Sequence, residues 1–349
     1  VNSAFVGHGF HLKYTKSSAF FIDLMEESWP GVLVIDSRWS WVKLPVRKTW
    51  DLVVFWQNLP DRTLLDSITA RSVVLVPMWD TCPRDRGYWE QFRDCGILCF
   101  SKALADLLEP WGHRIHRVQY FPEVPNIGSA WGAGVRKAFF WPRSADLGWP
   151  VARILLGGQT WDRVHLHITE GPEEPFRQVP RGDEAVFPIF RTRWFLDRTA
   201  MLKAMAECQV FLAPRRSEGI GMSFLEAMAL GLAVVAPDAP TMNEYIQNGL
   251  TGYLYDPEAP VPVDFTRARA CGENARLAVM EGRERWTACL PRLREFLLQN
   301  PVERPGGVLG PKARLARRAA WGEYRAYLVL EPLRWVKRLV LKMLTKEKR

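Results

Sequence analysis

Two glutamates and a pair of glycines between residues 218 and 226 carry the most legible chemistry in this sequence. Glu218, Gly219, Ile220, Gly221, Met222, Ser223 and Glu226 follow a short apolar run at 210–214. That run reads as a strand ending at Pro214. Residues 223–230 read as a helix closed by Gly231, a residue suited to the position just past a helix end. Gly219 and Gly221 let the backbone approach a ligand closely or take a positive φ. Their amides and the helix N-terminus form an anion site that a diphosphate fits without a metal ion. Carboxylates accept hydrogen bonds from vicinal hydroxyls such as those of a ribose or a hexose. Acid, phosphate cradle and acid, in that order, describe a nucleotide-sugar site. The same residues have plainer readings. Ser223 and Glu226 spell a capping box, Ser-x-x-Glu, that could serve only the helix end. Glu218 could be a solvated loop residue.

The elements that must position this segment alternate along the whole chain. Short apolar runs at 31–35, 51–55, 72–77 and 96–100 read as buried parallel strands. Helical stretches lie between them at 17–27 and 88–94, and Ser101 caps a further helix over 101–108. Residues 121–137 hold Pro122, Pro125, Gly128, Gly132 and Gly134 and read as a linker. Strands are then expected at 137–141, 152–156, 163–168, 210–213 and 233–236, with helices at 197–206, 223–230 and 242–247. The pattern is α/β: two Rossmann-like domains with parallel sheets facing a central cleft, ligands binding at the carboxyl ends of the strands. The expected division is 1–130, 131–305, and a C-terminal helical tail at 306–349.

Glu218 and Glu226 have the spacing of a Glu-x7-Glu motif. Residues 202–214 match a helix followed by a strand ending in Pro. Residues 227–236 match an EAMA-x-G-x-P-V stretch with Ala233 in place of Pro, and 243–257 match E-x-I-x-x-G-x-T-G-x-L. With these stretches the chain resembles the retaining glycosyltransferases of family 4, which have the GT-B fold; looser agreement runs from about 97 to 300. The resemblance implies that residues 1–130 take the acceptor and 131–305 the donor. It implies that Glu218 contacts the donor sugar, that amides from Gly219 through Ile220, Gly221 and Met222 to Ser223 hold the distal phosphate, and that Glu226 binds the ribose. It further implies transfer with retention by front-face attack, no cofactor or metal, a UDP- or GDP-linked donor, and a glycan or lipid-linked acceptor in bacterial surface polysaccharide synthesis. Catalysis of this kind is mostly positioning and charge stabilisation.

The sequence departs from the family pattern in two places. Arg143 stands where the family has Arg after the first strand of its second domain, but Gly148 or Trp149 stands where Lys is usual; Arg215 or Arg216 could compensate. The first-domain loop 76–80 lacks the family's His, and Asp80 could substitute for it. Gly7 and Gly9 could form the glycine turn beside the diphosphate, while His8 and His11 read as ordinary loop residues. His165 and His167 alternate on an expected strand and do not read as metal ligands. A nucleotide-sugar epimerase, or a binding protein that keeps the fold without catalysis, is compatible with the same residues.

Composition narrows the class further. The six cysteines form no CxxC pair or zinc spacing and read as buried free thiols. Residues 312–349 carry 12 basic and 3 acidic residues, the entire net charge of +9; the other 311 residues hold 35 of each sign. A neutral body argues against nucleic-acid binding. The tail places Leu333, Val336, Leu339, Val340, Met343 and Leu344 at helical spacing among lysines and arginines. Residues 331–349 are therefore expected to meet an anionic membrane surface, the alternative being a helix docked on the first domain. The first thirty residues lack a signal-peptide pattern and no apolar run spans a bilayer. The expectation is a cytoplasmic protein, peripheral on the inner face of the membrane, with a leader ahead of Val1 left open.

Overall fold

A computed structural model of the chain describes residues 1–44, 48–128, 131–132, 134–144, 147–168, 178–193, 195, 197–299 and 310–346, with side chains to 328 and at 330. The first sheet is built from β1 (Ser3–Gly7), β2 (Leu33–Asp36), β3 (Thr49–Trp56), β4 (Thr69–Val76), β5 (Gly96–Cys99) and β6 (Arg114–Arg117), in the order β2-β1-β3-β4-β5-β6. All pairings are parallel, with Phe5 opposite both Val34 and Val54. The intervening helices are α1 (Ala19–Ser28), α2 (Ser40–Lys43), α3 (Arg62–Asp66), α4 (Arg86–Glu90) and α5 (Lys102–Leu108). Asp61, Asp85 and Ser101 start α3, α4 and α5 by accepting an amide hydrogen bond from three residues on.

The second sheet comprises β7 (Lys137–Phe140), β8 (Arg163–His167), β9 (Ile189–Thr192), β10 (Val210–Leu212), β11 (Ala233–Pro237) and β12 (Tyr253–Tyr255). Its order is β12-β11-β10-β7-β8-β9, again all parallel. Its helices are α6 (Trp149–Leu155), α7 (Arg181–Glu184), α8 (Arg198–Ala206) and α9 (Met222–Ala229). Two parallel-sheet Rossmann-like domains followed by a C-terminal helical region constitute the GT-B architecture. In the second sheet the chain order reverses between β7 and β10, so the crevice that such sheets offer to ligands opens beyond Phe140 and Leu212.

Long helices bind the two units together. α10 (Ala268–Leu298) buries Cys271, Ala275 and Val279 in its first half and Leu293, Phe296 and Leu297 in its second. The Leu297 carbonyl accepts the Ser72 hydroxyl of β4 at 2.6 Å, and Phe296 stacks on His116 of β6. Helix α11 (Pro311–Lys346) returns to the first domain, where Tyr324 and Tyr327 each pack on Trp39 with ring centroids 5.1 Å apart. The docked reading of the tail therefore holds for these turns. The side chains of 331–346, and residues 347–349, on which the membrane expectation rests, lie outside the described residues. Among the described residues no helix is long and apolar enough to cross a membrane.

Two expected elements are corrected. Residues 152–156 are not a strand but the body of α6: Ala152, Leu155 and Leu156 are buried while Arg153 and Ile154 face solvent. That is helical periodicity, and Pro150 in the first turn after Gly148 favours a helix start. The expected helix at 242–247 is a single 3₁₀ turn, Met242–Glu244. The six cysteines are free, four buried and two half-buried.

Candidate functional site

Helix α9 starts where two glycines permit it. Gly221 is the N-cap with φ 80°, and a Cβ there would stand 1.9 Å from the Phe224 ring. Only glycine satisfies both the left-handed backbone and that contact. Gly219 is held for a different reason: a Cβ would meet Met78 of the first domain at 2.6–2.9 Å. The helix ends in a Schellman arrangement, Gly231 N–H to Met228 O and Leu232 N–H to Ala227 O, with Gly231 at φ 78°. The capping-box alternative fails, since Ser223 lies inside the helix and no side chain caps it. The amides at the start of α9 are therefore not taken up by a capping side chain. Ile220 is buried behind them.

Glu218 is half-buried at the end of the loop from β10. Its N–H reaches the Pro240 carbonyl at 3.4 Å, and its own carbonyl accepts the Thr241 hydroxyl at 3.3 Å. Burial pushes its carboxyl up to about 7; Arg215 and Arg143 oppose the rise and Asp80 adds to it. Four of the residues singled out from sequence, Asp80, Arg143, Arg215 and Glu218, thus share one electrostatic neighbourhood. Arg215 donates to Asp80 Oδ2 at 3.1 Å across the domain boundary. The Asp80 side chain is only 10% exposed, and its Oδ1 has no hydrogen-bond partner among the described residues. Burial raises its pKa against the pull of Arg215. Arg143 follows β7 and lies over the Trp141 ring at 4.7 Å. Arg216 points elsewhere and pairs with Glu258 on the surface. Trp149, one of the two positions where Lys was missed, is fully buried and donates its indole N–H to Asp183 at 2.8 Å.

Glu226 is buried on α9, and its Oε1 accepts Arg198 Nε at 2.7 Å. Arg198 opens α8, and nothing in the spacing of the sequence announces this partner 28 residues away. Gly7 ends β1, and Gly9 packs so closely on Asp36 that a Cβ would lie 2.0 Å from Oδ2. Gly9 is itself helical and leads, through Phe10, into a π-helical segment, His11–Thr15. His11 is not an ordinary loop residue. Its Nδ1 lies 3.0 Å from the Thr15 hydroxyl and 3.2 Å from that of Ser17. Burial, followed by the charges of His8, Arg143 and Arg215, lowers its pKa to about 4. The signal available in the sequence was its place four residues beyond the end of β1, at the carboxyl edge of the sheet. His165 and His167 instead share the Thr192 hydroxyl at 2.7 and 3.1 Å in an aromatic setting.

The domains also meet away from these arginines. Glu244 reaches from the second domain to the start of α5, accepting the Ser101 hydroxyl at 2.7 Å and the amides of Lys102 and Ala103. Among the described residues no three His, Cys, Asp or Glu side chains converge as a metal-ligand group.

Comparison with known proteins bears on the fold and the family. Residues 153–268 match the family described as glycosyl transferases group 1. Over 222 residues, 62% of the chain, the sequence is 28% identical to sulfoquinovosyl transferase SQD2 of Arabidopsis thaliana and spans 38% of that protein. A stretch of 53 residues, 15% of the chain, is 42% identical to the GtfA subunit of the Streptococcus agalactiae UDP-N-acetylglucosamine–peptide N-acetylglucosaminyltransferase and spans 10% of it. The chain therefore covers well under half the length of either curated relative. Among solved structures, Anabaena Alr3699/HepE in complex with UDP superposes with a TM-score of 0.57 at 14% identity, over 84% of this chain and 100% of that one. By its fold and by the match over residues 153–268, the chain is a GT-B protein related to the group 1 glycosyl transferases.

Proposed function

We propose that this chain transfers a sugar from a nucleotide-sugar donor to a glycan or lipid-linked acceptor, with retention of the anomeric configuration. The observation that carries the reading is the meeting of Glu218, Arg143 and Arg215 with the glycine-started helix α9 at the reversal point of the second sheet. A donor diphosphate seated at the amides of residues 219–223 has α9 aimed at it and two guanidiniums to neutralise it. Arg215, rather than Arg216, takes the part of the missing Lys, and this supports turnover without a metal ion. Glu218 receives a hydroxyl of the donor sugar, and Glu226 the ribose. Asp80 Oδ1 is a buried acceptor without a partner among the described residues, suited to a sugar hydroxyl. Gly7, Gly9 and the His11 ring close the first-domain side. Attack from the face of the departing phosphate lets that phosphate take the acceptor proton, so the protein's contribution is orientation and charge stabilisation.

UDP is the favoured nucleotide, since the Anabaena protein of the same fold was solved with UDP, and GDP is the alternative. A role in bacterial surface polysaccharide synthesis and contact of residues 331–349 with anionic lipid are further parts of this proposal. The test is incubation with UDP- and GDP-sugars and a candidate acceptor in EDTA, with the product read by NMR. Nucleoside diphosphate release with a retained anomeric centre is expected, lost in Glu218→Ala. An inverted product, or a new sugar nucleotide without transfer, would replace this reading with inversion or epimerisation.

A further inference from the structure

Glu226 sits in one of the most apolar parts of the second domain. Its neighbours on α9, Phe224, Leu225, Ala227 and Met228, are all fully buried, and its own side chain is only 6% exposed. A carboxylate there is costly unless a partner compensates it. The partner is Arg198, whose side chain is 59% exposed and reaches inward to place Nε 2.7 Å from Oε1. The base of this arm is fixed, because Asp197 caps α8 by accepting the Ala200 amide at 2.8 Å.

We infer that Arg198 is a positioning residue for the donor: it holds the buried Glu226 carboxylate, as an anion, in the orientation that receives the ribose. This rests on the reading of Glu226 given above. An exposed ion pair contributes little to stability, but here one partner is buried, and removing the cation strands a carboxylate in an apolar setting. The charged and titratable groups that face Glu226 are Arg198 from α8 and the Tyr120 phenol from the connector between the sheets. Burial raises the Glu226 pKa and Arg198 opposes the rise. Without Arg198 the carboxyl therefore protonates at a higher pH, and ribose binding weakens as pH falls.

The test is isothermal titration of the full chain with UDP and with GDP across pH about 5.5–8.5, for wild type, Arg198→Met, Arg198→Lys and Glu226→Gln. Taking the ratio of variant to wild-type affinity cancels the titration of the ligand's own phosphate. Arg198→Met should bind a few-fold more weakly at the alkaline end. Its ratio should then fall by up to about tenfold per pH unit between the wild-type and variant pKa values of Glu226. Arg198→Lys should recover most of the loss, and Glu226→Gln should be weak at every pH. A ratio for Arg198→Met that stays constant with pH, alongside a weak Glu226→Gln, would overturn the positioning role and leave the ribose reading standing. A Glu226→Gln variant that binds as wild type does would overturn the ribose reading, and the inference with it.

Discussion

Replacing Glu218 with Gln removes a titration whose size and sign follow from its surroundings. The carboxyl moves from 4.5 in an unfolded chain to about 7 in the folded one, chiefly because burial disfavours its charge. A raised acid binds its proton more tightly when folded. The folded state is therefore favoured at low pH, and this advantage is lost as pH rises from about 4.5 through about 7. A shift of that size corresponds to at most about 3.4 kcal/mol at one pKa unit per 1.36 kcal/mol. Glu218 is half-buried, so about 2 kcal/mol is the expected share. The Gln variant stays neutral. It should match wild type at pH about 4 and below and exceed it by about 2 kcal/mol at pH 8, which for a chain of this length is about 3 °C in Tm. Thermal unfolding of the two proteins in parallel across this range reports the term together with the response of its neighbour Asp80, since groups outside this neighbourhood titrate alike in both. A Tm difference that does not change with pH would refute a buried, charge-penalised Glu218.

Other substitutions separate neighbouring roles. Gly221→Ala must accept a strained φ and displace the Phe224 ring, so a loss of about 2 kcal/mol or more is expected by denaturant unfolding, together with weakened nucleotide binding. Arg215→Met should weaken nucleoside diphosphate binding about tenfold or more in titration calorimetry. Arg216→Met, whose side chain turns to Glu258, should leave it within about twofold. Glu244→Ala strips the start of α5 of a carboxylate from the other domain and should cost about 1–3 kcal/mol in unfolding experiments.

The strand, loop and helix from Val210 to Gly231 were legible because most of their constraints are local. Gly221 and Gly231 are dictated by backbone shape within a dozen residues, whereas Gly219 answers to Met78 of the first domain, and the buried strands around them are short apolar runs. The fold followed from the alternation of such runs with amphipathic stretches. Residues 152–156 were misread because an apolar run of five does not state its period; Arg153 and Ile154 face solvent side by side only once α6 is formed. The partners of the site were less legible. Arg198 meets Glu226, and Asp80 meets Arg215, only through tertiary packing. His11 acquires its setting from burial first, then from the nearby His8 and from arginines more than a hundred residues away. The sequence could nominate Arg215 and Arg216 together, but only the packing of the first domain against the loop after β10 separates them.

The central claim is a diphosphate and ribose site at the start of α9. Its most direct test is a thermal-shift panel in EDTA with UDP, GDP, ADP, CMP and TDP, on wild type and Glu226→Ala. One nucleotide should stabilise the wild type, by about 2.7 kcal/mol at a hundred times its dissociation constant, and that gain should largely vanish in the variant. No stabilisation of the wild type by any of the five, or an undiminished gain in Glu226→Ala, would contradict it.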